Sequence, residues 1–215
     1  MEDPHAAPGR LEVLRDFINT VELDHSADAL AEGDGLPVWC SEAGVPCAGL
    51  QDAALRRLRE FREALREITY ANAGEGDPAR SWAGLEPFAA ETSFKIGISD
   101  AGVPWLRPLG EGVQGSIAWL LAIVYDAVAA GTWSRLKACR EESCRFAFYD
   151  NSKNASGAWC SMRVCGNRNK AKRRRARVKA TALASLTPPN GRGMMLVVTR
   201  ITPTRSLKTE QCSSA

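Results

Sequence analysis

Four cysteines form the cluster in this sequence with the clearest chemistry. Cys139 and Cys144 are separated by four residues, Cys160 and Cys165 are separated by four more, and fifteen residues lie between the two pairs. Four thiolates supplied by two short loops can close a tetrahedron around one Zn²⁺ ion. We therefore predict a single structural zinc ion, which in zinc-finger peptides supplies on the order of 10 kcal/mol of folding free energy. Removal of the metal should unfold this region first.

The same ligands leave one alternative open. An iron–sulfur cluster is also held by four cysteine thiolates, and it would make the protein a redox sensor. A catalytic zinc ion fits less well, because four protein ligands leave no position for water or substrate. No export signal is recognisable, and thiols stay reduced in the cytosol. We therefore expect plain thiols at the three remaining cysteines, Cys40, Cys47 and Cys212.

Charge is unevenly distributed along the chain. Its 28 basic and 25 acidic side chains give a formal net charge of +3, yet residues 1–134 carry 10 basic and 21 acidic groups. Residues 135–180 carry 14 basic and 3 acidic groups, and residues 181–215 carry 4 and 1. The strongly basic stretch is the electrostatic pattern expected for nucleic acid as a partner.

The densest basic run follows the last cysteine of the cluster. From Arg168 to Lys179, eight of twelve residues are cations and none is acidic, and the alanines among them favour a helix. Cations around such a helix can neutralise phosphates on both sides of a groove, so we predict binding to duplex DNA with a steep salt dependence. Four of them, Arg168, Lys172, Arg175 and Lys179, would share one face. The predicted DNA contacts are Arg163, Asn167, Arg168, Lys170, Lys172, Arg173, Arg174, Arg175, Arg177 and Lys179.

Base readout is a separate question from phosphate binding. Arg163, Asn167 and Arg168 carry donors and acceptors that can meet purine edges. Asn167 could equally cap the basic helix or tighten the second cysteine loop. These three residues are therefore candidates for binding, and their role in specificity stays open.

The residues between the two cysteine pairs suggest a small folded module. Aromatic residues inside a metal module usually form its core, so we expect packing rather than base stacking from Phe148, Tyr149 and Trp159. The polar side chains alternate in a way that suits a tight turn held by side-chain to backbone hydrogen bonds. These are Asp150, Ser152 and Asn154.

Taken together, these motifs resemble a known family. The stretch 139–175 contains Cys-x₄-Cys, then Phe-Tyr-Asp-x-Ser-x-Asn, Trp-Cys-Ser-Met and Cys-Gly-Asn-Arg-x-Lys. It closely resembles the CGNR zinc finger. Asp-Phe-Ile-Asn-Thr at residues 16–20 is similar to the opening of the ABATE domain, which usually precedes this finger. The resemblance implies a bacterial transcription regulator in which the finger binds DNA and the ABATE part senses a ligand or stress signal.

Hydrophobic periodicity predicts the elements that must position this module. Apolar residues recur at helical spacing over residues 10–24, 52–71 and 117–131, with the second helix at the surface and the third central. Phe94, Ile96 and Ile98 alternate with polar residues before a loop at residues 100–102, which predicts a β-hairpin.

These elements predict an α+β protein, with a mainly helical N-terminal domain that contains a small antiparallel sheet, followed by a small Cys₄ zinc-finger module with a basic helix. We expect the domains to be residues 1–134 and 135–186, with a loose tail over residues 187–215.

The sequence offers little for catalysis. Its histidines are His5 and His25, and it contains no glycine-rich phosphate loop, zinc-protease helix or nucleophile elbow. His25 beside Asp24 is expected to be a surface histidine, because adjacent residues on a helix do not face each other. We therefore expect a protein that is not an enzyme. Core packing is also expected for Trp39, Trp82, Trp105 and Trp119.

Partners and location follow from the same features. The apolar stretch near residues 117–130 is interrupted and short for a bilayer, so we expect no membrane role and a cytoplasmic, nucleoid-associated protein. Duplex DNA is the predicted partner, with RNA or RNA polymerase as the alternative and a small-molecule effector expected at the N-terminal domain. The sequence leaves the oligomeric state open.

Overall fold

The structure is a computed structural model that describes residues 3, 5–25, 27–30, 35–47 and 52–185. These residues form a mostly helical fold with three two-stranded antiparallel sheets, which confirms the predicted α+β class. The helices are α1 (Leu11–Ile18), α2 (Gly35–Ala43), α3 (Asp52–Asn72), α4 (Pro78–Ala83), α5 (Glu86–Ala89), α6 (Gly112–Ala129) and α7 (Asn167–Ser185). The strand pairs are β1 (Val21–Glu22) with β2 (Ala27–Asp28), β3 (Ser93–Ile98) with β4 (Pro104–Leu109), and β5 (Leu136–Ala138) with β6 (Ala147–Tyr149).

The chain divides into two compact units, residues 1–173 and residues 174–215. The second unit is described as far as residue 185, and this part is helical. The predicted loose tail, residues 187–215, and Cys212 lie outside the described residues. The assignment of residues 1–134 and 135–186 to separate domains stays a prediction.

The core of the first unit lies where α1, α3 and α6 pack together. Phe17 and Phe61 are fully buried, with ring centroids 6.0 Å apart. Burial of such a side chain contributes roughly 1.5–3 kcal/mol. Helix α1 is shorter than predicted: the Thr20 hydroxyl donates to the Phe17 carbonyl at its C-terminal end, the Asn19 amide bonds Ala147, and Val21 lies in β1.

Helix α3 confirms the helix predicted over residues 52–71 and its surface position, since Arg56, Glu60 and Glu67 are exposed, while its other face is buried in the core. Arg62 and Arg66 on this helix are both buried. Arg62 pairs with Asp28 at 2.7 and 2.9 Å, and Arg66 donates to the carbonyl oxygen of Ile18. A charged side chain is usually buried only when such ion pairs and hydrogen bonds compensate for the loss of water. The arginines therefore tie α3 to neighbouring elements.

Helix α6 begins at Gly112, earlier than the periodicity predicts. Its 18 residues and mean hydropathy of 1.4 make it, by length and composition alone, long enough to cross a membrane, so the prediction that this stretch is too short was wrong. Half of the helix is buried inside the fold, including Ile117, Leu120 and Ile123. This is the arrangement of a core helix.

Strands β3 and β4 form the predicted hairpin, in a register that places Ile96 opposite Leu106 and Gly97 opposite Trp105. A Cβ atom added at Gly97 would lie 2.6 Å from the Trp105 indole ring. Glycine is therefore required at this position for the ring to lie across the strand.

The prediction that four tryptophans pack in the core is wrong for two of them. Trp82 and Trp105 are 39% and 43% exposed, whereas Trp39 and Trp119 pack half-buried against the core. Trp133, which the sequence did not single out, is buried. Aromatic residue type alone does not tell the inside of a hairpin from its outside.

A disulfide bond joins Cys40 and Cys47, whose Cα atoms are 6.0 Å apart. The prediction of plain thiols at these positions was therefore wrong. Helix α2 ends before Gly44, which has φ +67°, and Val45 donates a backbone hydrogen bond to the Cys40 carbonyl. The left-handed glycine turns the chain back, so the two sulfurs meet although seven positions separate them in the sequence.

Candidate metal centre and nucleic-acid interface

The structure brings the four clustered cysteines together. Cys139 follows β5, and Cys144 lies in the turn before β6. Cys165 lies within a π-helical turn at Met162–Gly166, and Cys160 lies two residues before that turn. All four sulfur atoms lie within 4.8 Å of one another. The Cys144 and Cys160 sulfurs are 3.6 Å apart, and those of Cys160 and Cys165 are 3.8 Å apart.

These spacings fit one tetrahedral ion. With Zn–S bonds of about 2.3 Å, the edges of a regular tetrahedron of sulfur atoms are about 3.8 Å long. In a four-iron cluster each thiolate binds a different iron atom, so its sulfur atoms stand farther apart than around one ion. The geometry therefore favours a single metal ion over a multi-iron cluster.

The four thiols also shift one another's pKa values. Hydrogen bonds from Cys144 and Cys160 lower the pKa of Cys139 to about 2. The hydrogen bond with Cys139 raises the pKa of Cys144 to about 12, and contact with Cys139 likewise raises the pKa of Cys160. Burial is the main cause that raises the pKa of Cys165. Without a cation the cluster therefore favours one thiolate over several, and a divalent ion would compensate the repulsion among four.

Side chains of the helical part anchor the first cysteine pair. The Asn19 amide donates to the Ala147 carbonyl at 2.8 Å and accepts from the Ala147 N–H at 2.7 Å, which is the pattern of a neighbouring strand. The buried Arg66 donates to the Arg145 carbonyl at 2.8 Å. Asn72 of α3 donates to the Leu136 carbonyl at 2.9 Å. Strands β5 and β6 are therefore fixed to α1 and α3.

A buried ion pair organises the loop between the two cysteine pairs. Lys137 donates to Asp150 at 2.8 Å, and Asp150 also accepts the N–H groups of Ser152 at 3.0 Å and Gly157 at 2.7 Å. Burial alone would raise the pKa of Asp150, but the Lys137 ammonium and these donors hold it well below the ordinary value of 3.8. The prediction of a turn held by Asp150 and Ser152 is confirmed.

The aromatic residues of this region behave as a core. Phe148 and Tyr149 are buried, and Trp159 packs against the cysteine sulfurs. All three are therefore packed rather than exposed for base stacking, as predicted; Trp159 packs with the cysteines, whereas Tyr149 belongs to the main core of the first unit and Phe148 lies beside His5, with ring centroids 5.5 Å apart.

The diagnostic Cys-Gly-Asn-Arg sequence has a local structural explanation. A Cβ atom at Gly166 would lie 2.5 Å from the Met162 sulfur, so any other residue there would displace the end of that flexible, exposed side chain. Asn167 donates its side-chain amide to the Arg163 carbonyl at 2.9 Å. Of the two alternatives for Asn167, the structure thus shows the one in which it tightens the second cysteine loop.

Glu141 connects the first cysteine pair to the start of α7. Its side chain is fully buried, and one carboxylate oxygen accepts a hydrogen bond from the Lys172 ammonium and, at 3.3 Å, from the Ser143 hydroxyl. Arg168 lies 3.4 Å from the same hydroxyl. Arg168 and Lys172 therefore face the cysteine module. The sequence did not single out Glu141, because a lone glutamate beside a cysteine has no distinctive spacing.

The candidate DNA-binding residues are all exposed. In the described part of the first unit, the side chains of Lys170 and Arg173 form no ion pair or hydrogen bond. In the second unit, Arg174, Arg175, Arg177 and Lys179 are exposed on a helix. Arg163 and Asn167 are exposed at the π-helical turn.

His25 confirms the expectation of a surface histidine. Its ring is 70% exposed, and its Nδ1 atom lies 2.6 Å from Glu22 and 3.9 Å from Asp24. The hydrogen bond to Glu22 raises the pKa of His25.

This arrangement defines a class of protein in which a helical N-terminal region is followed by a four-cysteine module and a basic helix. The family model of the CGNR zinc finger matches residues 135–178. The ABATE family model, described as "putative stress-induced transcription regulator", matches residues 12–132, which is more than half of the chain. The chain therefore belongs to the ABATE family and carries a CGNR zinc finger, as the sequence motifs predict. A comparison with curated proteins gives no match. The family descriptions indicate a transcription regulator that binds nucleic acid.

Proposed function

We propose that this protein is a transcription regulator that binds duplex DNA through α7, with one structural Zn²⁺ ion held by Cys139, Cys144, Cys160 and Cys165. The observation that carries the proposal is the exposed row of cations on α7, a helix that begins at Asn167, directly after the second pair of cysteines. We place the protein in the cytoplasm, in association with the nucleoid.

The donor set supports zinc in a structural role. Four sulfur ligands complete a tetrahedron, which leaves no open position for substrate, and this supports a binding protein rather than an enzyme. Bound Zn²⁺ would neutralise the thiolates and cross-link the two cysteine loops. Glu141 and Ser143 then hold the first turn of α7 in one orientation through Lys172 and Arg168.

The partners of the cations decide which of them can bind phosphate most readily. Lys172 already pairs with Glu141, and Arg168 reaches towards Ser143. Lys170 has no ion pair among the described residues and is exposed. A free cation releases counterions when it meets DNA, whereas a paired one contributes less. We therefore assign the phosphate contacts of the first unit mainly to Arg163, Lys170 and Arg173.

The proposal is tested by the affinity of the full-length, zinc-loaded chain for duplex DNA over a range of salt concentrations. Lys170→Gln should weaken binding and reduce the slope of log K against log salt by about 0.9. Lys172→Gln should change that slope much less. Lys95→Gln, the same substitution on β3, is the matched control and should change neither quantity.

If Lys170→Gln and Lys95→Gln had the same DNA affinity and the same salt dependence, α7 would not be the interface. A preference for RNA over duplex DNA at matched salt would support the RNA-binding alternative. Absence of nucleic-acid affinity, with capture of RNA polymerase, would support a protein partner for the basic helix. Iron with acid-labile sulfide would replace the zinc regulator with a redox sensor.

We further propose that the ABATE part senses an effector or mediates association. Support comes from the direct hydrogen bonds of Asn19, Arg66 and Asn72 to the first cysteine loop and its strands. A ligand that moved α1 or α3 would therefore act on the elements that hold the cysteines.

A further inference from the structure

The Cys40–Cys47 disulfide bond lies where the core of the first unit meets solvent. Cys40 is 5% exposed and packs in the core, whereas Cys47 is only half-buried. Most of the residues between them are exposed, namely Ser41, Glu42, Gly44 and Pro46. A small molecule in solution can therefore approach the bond from the side of Cys47.

The bond is local, and the core of the first unit does not depend on it. It spans seven positions and ties the end of α2 to the turn at Gly44 and Val45. Small secreted domains need disulfide bonds because their own cores are too small. Here α1, α3 and α6 pack together into a core of their own. Opening of the bond should therefore release α2 without unfolding the rest of the unit.

The other contacts of α2 and its turn have opposing effects. The Trp39 ring packs against Phe17 with centroids 5.2 Å apart, and the Ser116 hydroxyl of α6 donates to the Pro46 carbonyl. The Trp39 indole N–H, however, is buried without a hydrogen-bond partner among the described residues. A buried donor that is left unpaired destabilises the arrangement that buries it. The disulfide bond therefore helps to hold α2 in place against this cost.

The position of α2 is connected to the cysteine module through α1. Phe17, against which Trp39 packs, lies in the last turn of α1, and Asn19 follows two residues later. The Asn19 side chain bonds both backbone groups of Ala147 in β6, the strand that follows Cys144. Release of α2 can therefore affect β6 through side chains that contact one another.

We infer that Cys40 and Cys47 form a reversible redox switch, in which reduction releases α2 and loosens the Asn19–Ala147 contact that fixes β6. In the cytoplasm, where the proposed function places the protein, a disulfide bond is usually transient and either catalytic or redox-sensing. The switch rests on that placement, and it identifies the signal of the ABATE part as the balance between small thiols and hydroperoxides.

Both directions of the switch are simple sulfur chemistry. On reduction, the thiolate of a small thiol attacks the Cys47 sulfur, the S–S bond breaks, and the electron pair leaves with the Cys40 sulfur, which takes up a proton. A second thiol then frees Cys47 and leaves the small molecule as its own disulfide. On oxidation, the Cys47 thiolate attacks a hydroperoxide to give a sulfenic acid and an alcohol. The Cys40 thiol then displaces water and restores the bond.

The test uses the full-length, zinc-loaded chain at graded ratios of reduced to oxidised glutathione, without DNA. Alkylation and mass spectrometry should show that Cys40 and Cys47 become thiols together while the zinc ion is retained. Hydrogen exchange should then become about tenfold faster or more in α2, and it should also increase at the Ala147 amide. One equivalent of hydrogen peroxide should restore the bond and the slow exchange.

Two serine variants separate the effect of the bond from other effects of glutathione. Cys47→Ser cannot form the bond and should exchange rapidly at every ratio. Cys212→Ser is the matched control, because it removes a cysteine outside the pair and the metal site, and it should respond as the wild type does. A bond that persists over the whole range, or one that opens without faster exchange at Ala147, would overturn the inference. Since no nucleic acid is used, failure to bind DNA would count against the proposed function alone.

Discussion

The Asp28–Arg62 pair is the contact through which a single residue of β2 stabilises α3. Arg62 is 4% exposed and Asp28 is 21% exposed, and two hydrogen bonds join them. Loss of the Asp28 charge would leave the buried Arg62 with Glu63, 2.9 Å away and 46% exposed, as its remaining charged partner. Asp28→Asn should therefore lower the free energy of unfolding by about 2–3 kcal/mol in urea denaturation. Asp126→Asn, which breaks an exposed pair with Arg10 at 3.6 Å, should cost less than about 1 kcal/mol.

The same pair predicts a dependence on pH. Burial alone would raise the pKa of Asp28, but the hydrogen bonds and charge of Arg62 lower it below the ordinary value of 3.8. A lowered pKa in the folded state stabilises the protein above the unfolded value, and this stabilisation is lost as the pH falls. The difference in stability between wild type and Asp28→Asn should be constant near neutral pH and shrink below pH 3.8. A difference that grew on acidification would contradict this assignment.

At the scale of elements, Asn19 is the link between α1 and β6. Its amide bonds both backbone groups of Ala147, so Asn19→Ala leaves a buried N–H and a buried C=O without partners. We expect a loss of about 2–4 kcal/mol and faster hydrogen exchange at the Ala147 amide. Asn154→Ala removes an exposed asparagine of the same module and should change neither the free energy of unfolding nor the exchange rate of the Ala147 amide. Unchanged exchange at Ala147 in the Asn19 variant would mean that β6 is held by other contacts.

Periodic elements could be predicted from the sequence, and elements defined by tertiary partners could not. Helix α3, the hairpin and α6 each have a repeating apolar pattern that indicates one buried face. Helix α2 was missed because glycine and proline interrupt its segment, and the disulfide was missed because it depends on a turn at Gly44. The burial of Arg62 and Arg66 could not be foreseen, because their partners lie in β2 and α1.

The residues of the candidate site also fall into those that could be predicted from the sequence and those that could not. The four cysteines could be predicted because metal ligands must lie at short, fixed spacings. The role of Asn19 could not be derived from the residues alone, because it acts on Ala147, which is 128 residues away in the sequence. Glu141 was missed for a related reason, since its significance depends on Lys172 in another element.

At the scale of the whole molecule, the metal module and the helical part share one core. Leu136, Ala147 and Tyr149 belong to the main hydrophobic cluster with α1 and α3, whereas the cysteines form a second, small cluster with Trp159. Chelation of the metal should therefore increase hydrogen exchange in the cysteine loops, residues 139–146 and 158–166, more than in β5 and β6. Uniform unfolding of residues 135–173 on chelation would show that the strands depend on the metal as well.

The proposed function requires that a metal-held cysteine module present a basic helix to DNA. The most direct measurement is the affinity of the metal-free, full-length chain for duplex DNA at fixed salt while Zn²⁺ is added back under reducing, air-free conditions. We expect affinity to rise and to level off at one zinc ion per chain, because the metal orders the two cysteine loops that hold the start of α7 through Lys172 and Arg168. Affinity that is the same with and without zinc, or no affinity at any metal content, would contradict the claim.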